Sequence, residues 1–303
     1  MAASPTVAIL FHGSITSEEM RSYRAFRFAE HWKQWGVRVR ILHGINEPPN
    51  ADLLIPQIDL SVMPQAYRDY VEAHPRVVNR GLYDIRRVRF SQNLVARDDA
   101  YEGPVVVKTN ANFGGLPEHR SMSRAQLPKR VPYQLRHLFR RVSKKLANGR
   151  AKLAYTDFME PRDYRVFPAK AEIPDSVFDN EALVVEKFRP EQQGEVYVSR
   201  NYAFFGSAGI AVWEKSKNPL IRGEHKILLE LIPQDDKILD AQKSIGMEFG
   251  KLDYGLVDGE VVLFDVNPTP CSNFNVYPKI KQKIVVEMSK GIFDWFPDVR
   301  PKR

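Results

Sequence analysis

Residues 252–270 decide the fold, and they read LDYGLVDGEVVLFDVNPTP. Two apolar, strand-like runs flank Asp258 and Gly259, which is the pattern of a β-hairpin with a tight turn. The second run ends with Asp265 and Asn267. Because side chains alternate along a strand, this acid and this amide lie on one face. The stretch therefore predicts a hairpin with oxygen ligands at one end.

Asp253, on the incoming strand, is the third oxygen donor of this segment. If the loop holds an odd number of residues, with Gly259 in the left-handed region as a bulge, Asp253 faces the same side as Asp265 and Asn267. A strict two-residue turn would send Asp253 to the opposite side. Three such ligands on one face suit Mg²⁺, which takes oxygen donors and leaves positions for phosphates and water. An ordinary surface hairpin fits the segment equally well.

The composition indicates an ordinary soluble globular protein. The chain has 303 residues, 43% hydrophobic and 27% charged, which allows one to three domains. No apolar run approaches the ~20 residues that span a bilayer. The N-terminal residues MAASPT lack the basic and apolar regions of a signal peptide, so a cytoplasmic location is expected. Cys271 is the only cysteine, which excludes an internal disulfide and a cysteine-based metal cluster.

The positive charge is concentrated in one segment. The net charge of the chain is +8. Residues 116–150 contain ten Lys or Arg residues and a single acid, Glu118. Apolar residues at helical spacing predict an amphipathic helix over residues 132–147 with a basic outer face. That face could be merely solvated, could act as a lid that meets an anionic substrate, or could bind nucleic acid or an anionic membrane. The absence of an aromatic ladder disfavours nucleic acid.

The first 95 residues alternate between strand and helix patterns. Short apolar runs predict strands over residues 6–11, 37–42 and 51–55, and an amphipathic run predicts one helix over residues 17–34. The alternation indicates a small parallel sheet. Further on, Arg86, Arg87 and Arg89 could meet a carboxylate or could form a solvated helix face.

A second unit begins at an apolar strand that ends in Lys108. The following residues, TNANFGG, form a small glycine-rich loop. A lysine at the rim of a strand, ahead of such a loop, suits phosphate, because the ammonium supplies charge and the loop supplies backbone N–H groups. The order and spacing exclude a Walker A motif. Another apolar strand, residues 183–188, follows, and an alternating strand then carries Arg200.

In this order, the features resemble those of the ATP-grasp superfamily, of the type that ligates carboxylates to amines or thiols. The hairpin is similar to the metal-binding strand pair of that family, whose usual form is Glu-x-Asn-Pro, with Asp265 in place of the commoner glutamate. The match runs over roughly residues 96–275.

The resemblance implies an α/β fold of the α+β ATP-grasp type, in which two sheet-bearing subdomains sandwich ATP. A small N-terminal α/β domain would cover residues 1–95. The first ATP-grasp subdomain would cover residues 96–185, with the basic helical insert at 116–150. The second would cover residues 186–303, with the metal-binding hairpin and a C-terminal helix.

The resemblance also implies where a nucleotide would bind. The main chain of Glu186, Lys187 and Phe188 would read the adenine edge. Glu195, or Glu191 just before it, would hold the ribose hydroxyls.

The phosphates would lie between the two early phosphate-binding features. Lys108 would touch the α-phosphate. The glycine loop would close over the β- and γ-phosphates with Asn112, Gly114 and Gly115.

The remaining implied roles concern metal and catalysis. Asp253, Asp265 and Asn267 would hold one or two Mg²⁺ ions, or Mn²⁺ in their place. Arg200 and Lys215 would contact the acyl-phosphate oxygens and the transferred phosphoryl group, and each could instead form a surface salt bridge.

The implied reaction is ATP-dependent activation of a carboxylate as an acyl phosphate, followed by attack of an amine. The expected acid is an anionic small molecule, glycan or peptide, and a homodimer is possible. Two other classes stay open. One is a kinase of the same fold, and the other is a non-catalytic protein that binds nucleotide or an anionic polymer.

Overall fold

The computed structural model describes residues 4–126, 159, 163–221 and 227–299. The strands within these ranges are β1 Thr6–Phe11, β2 Arg38–His43, β3 Leu53–Gln57, β4 Val105–Thr109, β5 Arg165–Phe167, β6 Leu183–Lys187, β7 Glu191–Gln193, β8 Val196–Phe205, β9 Ala208–Ser216, β10 Leu228–Ile232, β11 Phe249–Val257 and β12 Glu260–Asn267. The helices are α1 Ser17–Met20, α2 Arg24–Gln34, α3 Gln65–Glu72, α4 Arg87–Phe90, α5 Leu116–Gln126, α6 Asp175–Phe178, α7 Asp236–Ile245, α8 Pro278–Ser289 and α9 Ile292–Trp295. None of the described helices has the length and apolarity needed to cross a bilayer.

The described strands form three sheets. The first is parallel, in the order β2-β1-β3. The second is antiparallel, in the order β5-β4-β6. The third is antiparallel, in the order β10-β9-β8-β11-β12, with β7 beside β8. This mixture of helices with several sheets confirms the predicted fold class.

The chain breaks the helix predicted over residues 17–34. Thr16 caps α1 in a capping box with Glu19, but Tyr23 is extended and α2 begins at Arg24. The cause is a pairing that is distant in sequence: Tyr23 forms an antiparallel bridge with Cys271, the segment just beyond β12. The main chain at the start of α2 is thereby held against the end of the hairpin.

Residues 1–95 share their main core with the C-terminal half. Phe28 and Trp32 of α2 pack in one buried cluster with Phe205 of β8 and Phe249 of β11. The indole N–H of Trp32 donates to the Ser289 carbonyl over 2.8 Å. Truncating one such buried aromatic ring costs about 3–5 kcal/mol, so the first sheet is fixed rigidly to the third.

Strand β6 crosses the division that the sequence suggested after residue 185. It continues to Lys187, which pairs with Val105 of β4. Glu186 and Lys187 therefore belong to the second sheet, and the chain leaves that sheet only after them.

The hairpin reaches the expected arrangement by an unexpected route. Asp258 and Gly259 are both left-handed, with φ of 54° and 77°, and they form a strict two-residue turn. Such a turn alone would place Asp253 opposite to the face of Asp265. The register shifts between Asp253 and Tyr254, because Phe264 is an extra residue on β12. Asp253 therefore pairs directly with Asp265.

The junction between α9 and the third sheet is too tight for any side chain at Gly291. Its φ of −57° suits every residue, but an added Cβ would lie 1.9 Å from the Phe205 carbonyl oxygen. We expect Gly291→Ala to lower the free energy of unfolding by about 2–3 kcal/mol, measured by urea denaturation. Gly13→Ala is the control, because its Cβ would come no closer than 3.5 Å to Tyr67. Equal losses in the two variants would contradict this account of the junction.

Candidate functional site

A cleft of about 940 Å³ lies between the second sheet and the β11–β12 hairpin. This volume includes space that is open to solvent. The structure places six of the predicted site residues on its walls, namely Lys108, Glu186, Lys187, Phe188, Asp253 and Asp265.

Two carboxylates face this cleft from neighbouring strands. Asp253 and Asp265 are directly paired, so their side chains project from the same face of the sheet. Asn267 shares that face, because it lies two residues beyond Asp265 on β12 and pairs with Lys251, which lies two residues before Asp253 on β11. The ammonium of Lys251 lies 2.7 Å from Asp253 Oδ2, and the guanidinium of Arg87 lies 3.2 Å from Asp265 Oδ1. The pair of acids is thus flanked by two cations.

The donor atoms that remain fit a magnesium ion that also takes phosphate oxygens. Asp253 Oδ1 is buried and has no hydrogen-bond partner among the described residues. Burial raises the pKa of Asp265, and Arg87 opposes that shift without cancelling it. The neighbouring cations therefore do not fully balance the charge of this carboxylate. Among the described residues, no cluster of three or more His, Cys, Asp or Glu side chains could hold a metal ion. Mg²⁺ commonly uses only one or two carboxylates together with substrate phosphates.

Asn267 is a less available ligand than the two acids. Its Oδ1 accepts a hydrogen bond from the Thr269 N–H at 2.9 Å, and the Thr269 hydroxyl oxygen lies 3.3 Å from it. That hydroxyl also lies 3.0 Å from Asp59 Oδ1. Because a hydroxyl carries one proton, its donation to Asp59 leaves one lone pair of Asn267 for a cation.

Lys108 supplies a buried cation on the opposite wall of the cleft. Its Nζ lies 2.7 Å from Glu186 Oε2 on the adjacent strand. Glu186 Oε1 is buried with no partner among the described residues. Burial lowers the pKa of Lys108, and Glu186 opposes that shift. Burial would also lower the pKa of Arg87, but Glu186 and Asp265 hold it above its usual value. Arg87 thus connects the two walls electrostatically.

The last residue of β6 and the residue that follows it both use their main-chain donors within the protein. The N–H of Lys187 donates to the Asn93 carbonyl over 2.7 Å, and the N–H of Phe188 donates to the Pro104 carbonyl over 2.8 Å. A base that entered the cleft would have to be read by the other main-chain groups of this segment.

The glycine loop lies beside β12 but is not part of the cleft wall. Phe113, Gly114 and Gly115 are all left-handed, with φ of 46°, 71° and 74°. The N–H of Asn112 donates to Ser61 Oγ over 2.7 Å, which docks the loop onto the segment after β3. The expected contacts of this loop with the β- and γ-phosphates stay a prediction.

The structure does not bring Arg200 and Glu191 into the cleft. Arg200 pairs with Tyr254, the neighbour of Asp253, so it projects from the opposite face of the sheet. Its guanidinium donates to both oxygens of Glu191 at 2.8 and 2.6 Å. Glu191 also accepts from the Leu256 N–H. These bonds keep the pKa of Glu191 low even though burial alone would raise it.

Glu195 and Lys215 also lie away from the cleft. Glu195 is exposed at the two-residue turn between β7 and β8. Lys215 is on the face of Arg200, and its ammonium lies 4.0 Å from the centre of the Trp213 ring. These side chains are not among the residues that line the cleft, and the ribose contacts and the two catalytic roles implied by the resemblance stay predictions.

The Arg200–Glu191 pair should matter for stability. Arg200→Met would leave a buried carboxylate without its cation, so we expect the free energy of unfolding to fall by about 3 kcal/mol. Affinity for an ATP analogue should stay unchanged, since the pair is outside the cleft. Denaturation and calorimetric titration would measure the two quantities, with Lys215→Met as the control. A large loss of nucleotide affinity with normal stability would restore Arg200 to the site.

Sequence reasoning missed Lys251 and left the role of Arg87 open. Lys251 stands two residues before Asp253, so strand alternation alone would have placed it on the metal face. The sequence gives no comparable signal for Arg87, because nothing in it distinguishes Arg87 from its neighbours Arg86 and Arg89. In the structure, those two arginines both bond to Asp84 at the surface.

Most of the basic insert lies outside the described residues. The structure describes α5 as far as Gln126, and the amphipathic helix expected over residues 132–147 falls beyond it. Its suggested role as a lid stays a prediction.

No family model and no curated protein sequence matches this chain. Solved structures do match it along nearly its whole length. A RiPP-associated ATP-grasp ligase from Chryseobacterium gregarium, in complex with ADP and a leader and core peptide, is 10% identical with a TM-score of 0.52, and the match covers 98% of each chain.

Two further structures are similar at lower TM-scores. One is the D-alanine–D-alanine ligase of Bacillus anthracis complexed with ATP, at 11% identity and a TM-score of 0.43, covering 96% of this chain and 95% of that one. The other is an ATP-grasp RimK domain protein from Sphaerobacter thermophilus, at 11% identity and 0.43, covering 95% and 98%. The chain has the ATP-grasp fold, as its similarity to the Chryseobacterium gregarium ligase shows.

Proposed function

We propose that this protein is an ATP-dependent ligase that activates a carboxylate as an acyl phosphate and joins it to an amine, releasing ADP and phosphate. One observation carries the proposal: Asp253 and Asp265 are paired on one face, across the cleft from Lys108. The likeness in fold to a peptide ligase that binds ADP supports the same conclusion.

The nucleotide would lie between the two sheets, with its phosphates directed toward the hairpin. Lys108 would bind the phosphate oxygens from one wall. Val106 and Val262 line the cleft beside it and offer apolar surface for the base. Burial of the charges on both walls strengthens every attraction in the site, because less water is present to screen them.

Asp253 and Asp265 would hold Mg²⁺, with Asn267 as the further donor. Held there, Mg²⁺ would supply positive charge against the negative charge that develops as the γ-phosphoryl group moves. For the ion to bind, Asp253 must share or release the ammonium of Lys251. That ammonium is then next to the transferred group, and we assign Lys251 the role that the sequence suggested for Arg200 and Lys215.

The chemistry runs in two steps. A carboxylate oxygen of the substrate attacks the γ-phosphorus, and the bond from that phosphorus to the β-phosphate oxygen breaks, which gives an acyl phosphate and ADP. The amine nitrogen then attacks the acyl carbon, phosphate leaves, and the nitrogen loses a proton. Arg87, Lys108 and Lys251 stabilise the negative charge that passes through the site.

A peptide carboxylate is the first substrate class to test. The support is the ATP-grasp ligase of similar fold that binds a leader and core peptide. A small acid or a glycan acid stays possible on the same chemistry. The homodimer and the cytoplasmic location are predictions from the sequence alone.

Release of ADP tests the proposal. Purified protein with Mg²⁺ and ATP is supplied with peptide and small-molecule carboxylic acids, with and without a pool of amines, and ADP and products are followed by mass spectrometry. The proposal expects acid-dependent ADP release and an amide product in the presence of amine. A stable phosphorylated product without any amide would identify a kinase, and nucleotide binding without turnover would identify a binding protein.

A further inference from the structure

One buried cation at the base of the site has no role in the scheme above. Arg24 begins α2 and is only 7% exposed. Its main-chain N–H donates to the Pro270 carbonyl, so the residue is fixed to the segment that follows the metal-binding strand. A buried arginine is rare unless an anion accompanies it.

The partners of Arg24 are neutral. Its Nε donates to Ser272 Oγ over 3.2 Å, and Nη1 lies 3.7 Å from the Met288 sulfur. These two contacts use two of the five N–H bonds of a guanidinium, and Arg24 forms no ion pair with any carboxylate in the described parts of the chain. Ser272 holds the Nε side of the group, which leaves the edge with the two terminal nitrogens for another acceptor.

The surroundings of Arg24 are those of the reaction site. Burial lowers the pKa of Arg24 to about 10, and Cys271, Asp253 and Glu214 act in the opposite direction. Arg24 and Lys251 also influence each other electrostatically. The contacts with Pro270 and Ser272 place Arg24 against the segment that follows the metal-binding strand, and Asp253 of the hairpin acts on it electrostatically.

We propose that the terminal edge of Arg24 binds the carboxylate of the acid substrate and presents it to the phosphoryl group held at Asp253 and Asp265. The inference rests on the proposed function and deepens it, because it names the recognised group and the residue. The planar fork of arginine matches a carboxylate with two parallel hydrogen bonds. An anion there also removes the penalty of an unpaired buried charge.

The inference places the substrate entrance at the junction between the start of α2 and the segment after β12. It also explains why Tyr23 leaves the helical path: the bridge to Cys271 turns Arg24 toward the third sheet. An uninterrupted helix over residues 17–34 would have no such anchor.

Binding of simple acids tests the inference. The full-length protein is first saturated with Mg²⁺ and a non-hydrolysable ATP analogue, and then titrated calorimetrically with acetate, succinate and triglycine, each compared with its neutral amide. We expect at least one acid to bind about tenfold or more tightly than its amide. Arg24→Met should weaken that acid about 30-fold, which corresponds to about 2 kcal/mol, and Arg24→Lys should recover part of the loss.

Arg21→Met serves as the control, because Arg21 is exposed just before α2. It should bind both acid and analogue like the unmodified protein. Affinity for the analogue in the Arg24 variants reports whether they are folded. If no acid is preferred over its amide, or if Arg24→Met keeps that preference, the inference fails while the ligase proposal stands. If the analogue does not bind to the unmodified protein, the proposed function itself fails.

Discussion

Asp265→Asn is expected to reduce ADP release by about 10³-fold while the protein stays folded. The amide keeps the size of the side chain but removes the negative charge that would hold the cation. Arg87 would retain its bond to the Phe264 carbonyl and its attraction to Glu186, so the site should not collapse. ADP release and the thermal unfolding midpoint are measured in parallel.

The same hairpin supplies the control for this variant. Asp258→Asn removes an equal charge at the exposed turn, where the side chain is 84% accessible and pairs only loosely with Arg189 at 3.3 Å. It should leave ADP release unchanged. If both variants retain full activity, Asp265 does not bind the cation, and the proposed metal site is incorrect.

Lys108→Met is expected to have the second largest effect, and it should damage both activity and stability. Loss of the ammonium should reduce kcat/KM for ATP by about 10²-fold or more, because the phosphates lose a buried cation. It also leaves Glu186 with only Arg87 as a charged partner, which should cost about 3 kcal/mol of unfolding free energy.

A double variant separates these two consequences. Lys108→Met with Glu186→Gln removes both charges of the pair, so stability should return toward that of the unmodified protein while activity stays low. Steady-state kinetics and urea denaturation measure the two quantities. Recovery of activity in the double variant would mean that Lys108 only compensates Glu186 and does not contact ATP.

The sequence was sufficient for the fold but not for the orientation of every strand. The hairpin and the strand that ends in Lys108 could be recognised because turn residues and alternation are local signals. The bulge at Phe264 is different. It depends on how β12 packs against its neighbours, and without it the two acids would face apart.

Arg200 illustrates a limit of pattern analysis. Alternation correctly grouped it with Tyr202 on one face of β8, but alternation cannot tell that Asp253 and Asp265 project from the other face. The environment of each face is set by tertiary packing: α7 packs on the face of Tyr202, and α2 packs on the opposite face. Arg24 was hidden for a similar reason, since the break before α2 comes from a partner almost 250 positions away.

The central claim is that divalent cation and nucleotide phosphates meet at the β11–β12 hairpin, opposite Lys108. A crystal structure with Mg²⁺ and a non-hydrolysable ATP analogue tests it most directly. The account predicts the analogue between the second and third sheets, with a metal ion at about 2.1 Å from carboxylate oxygens of Asp253 and Asp265. An analogue bound elsewhere, with those acids still paired to Lys251 and Arg87 and no metal between them, would contradict it.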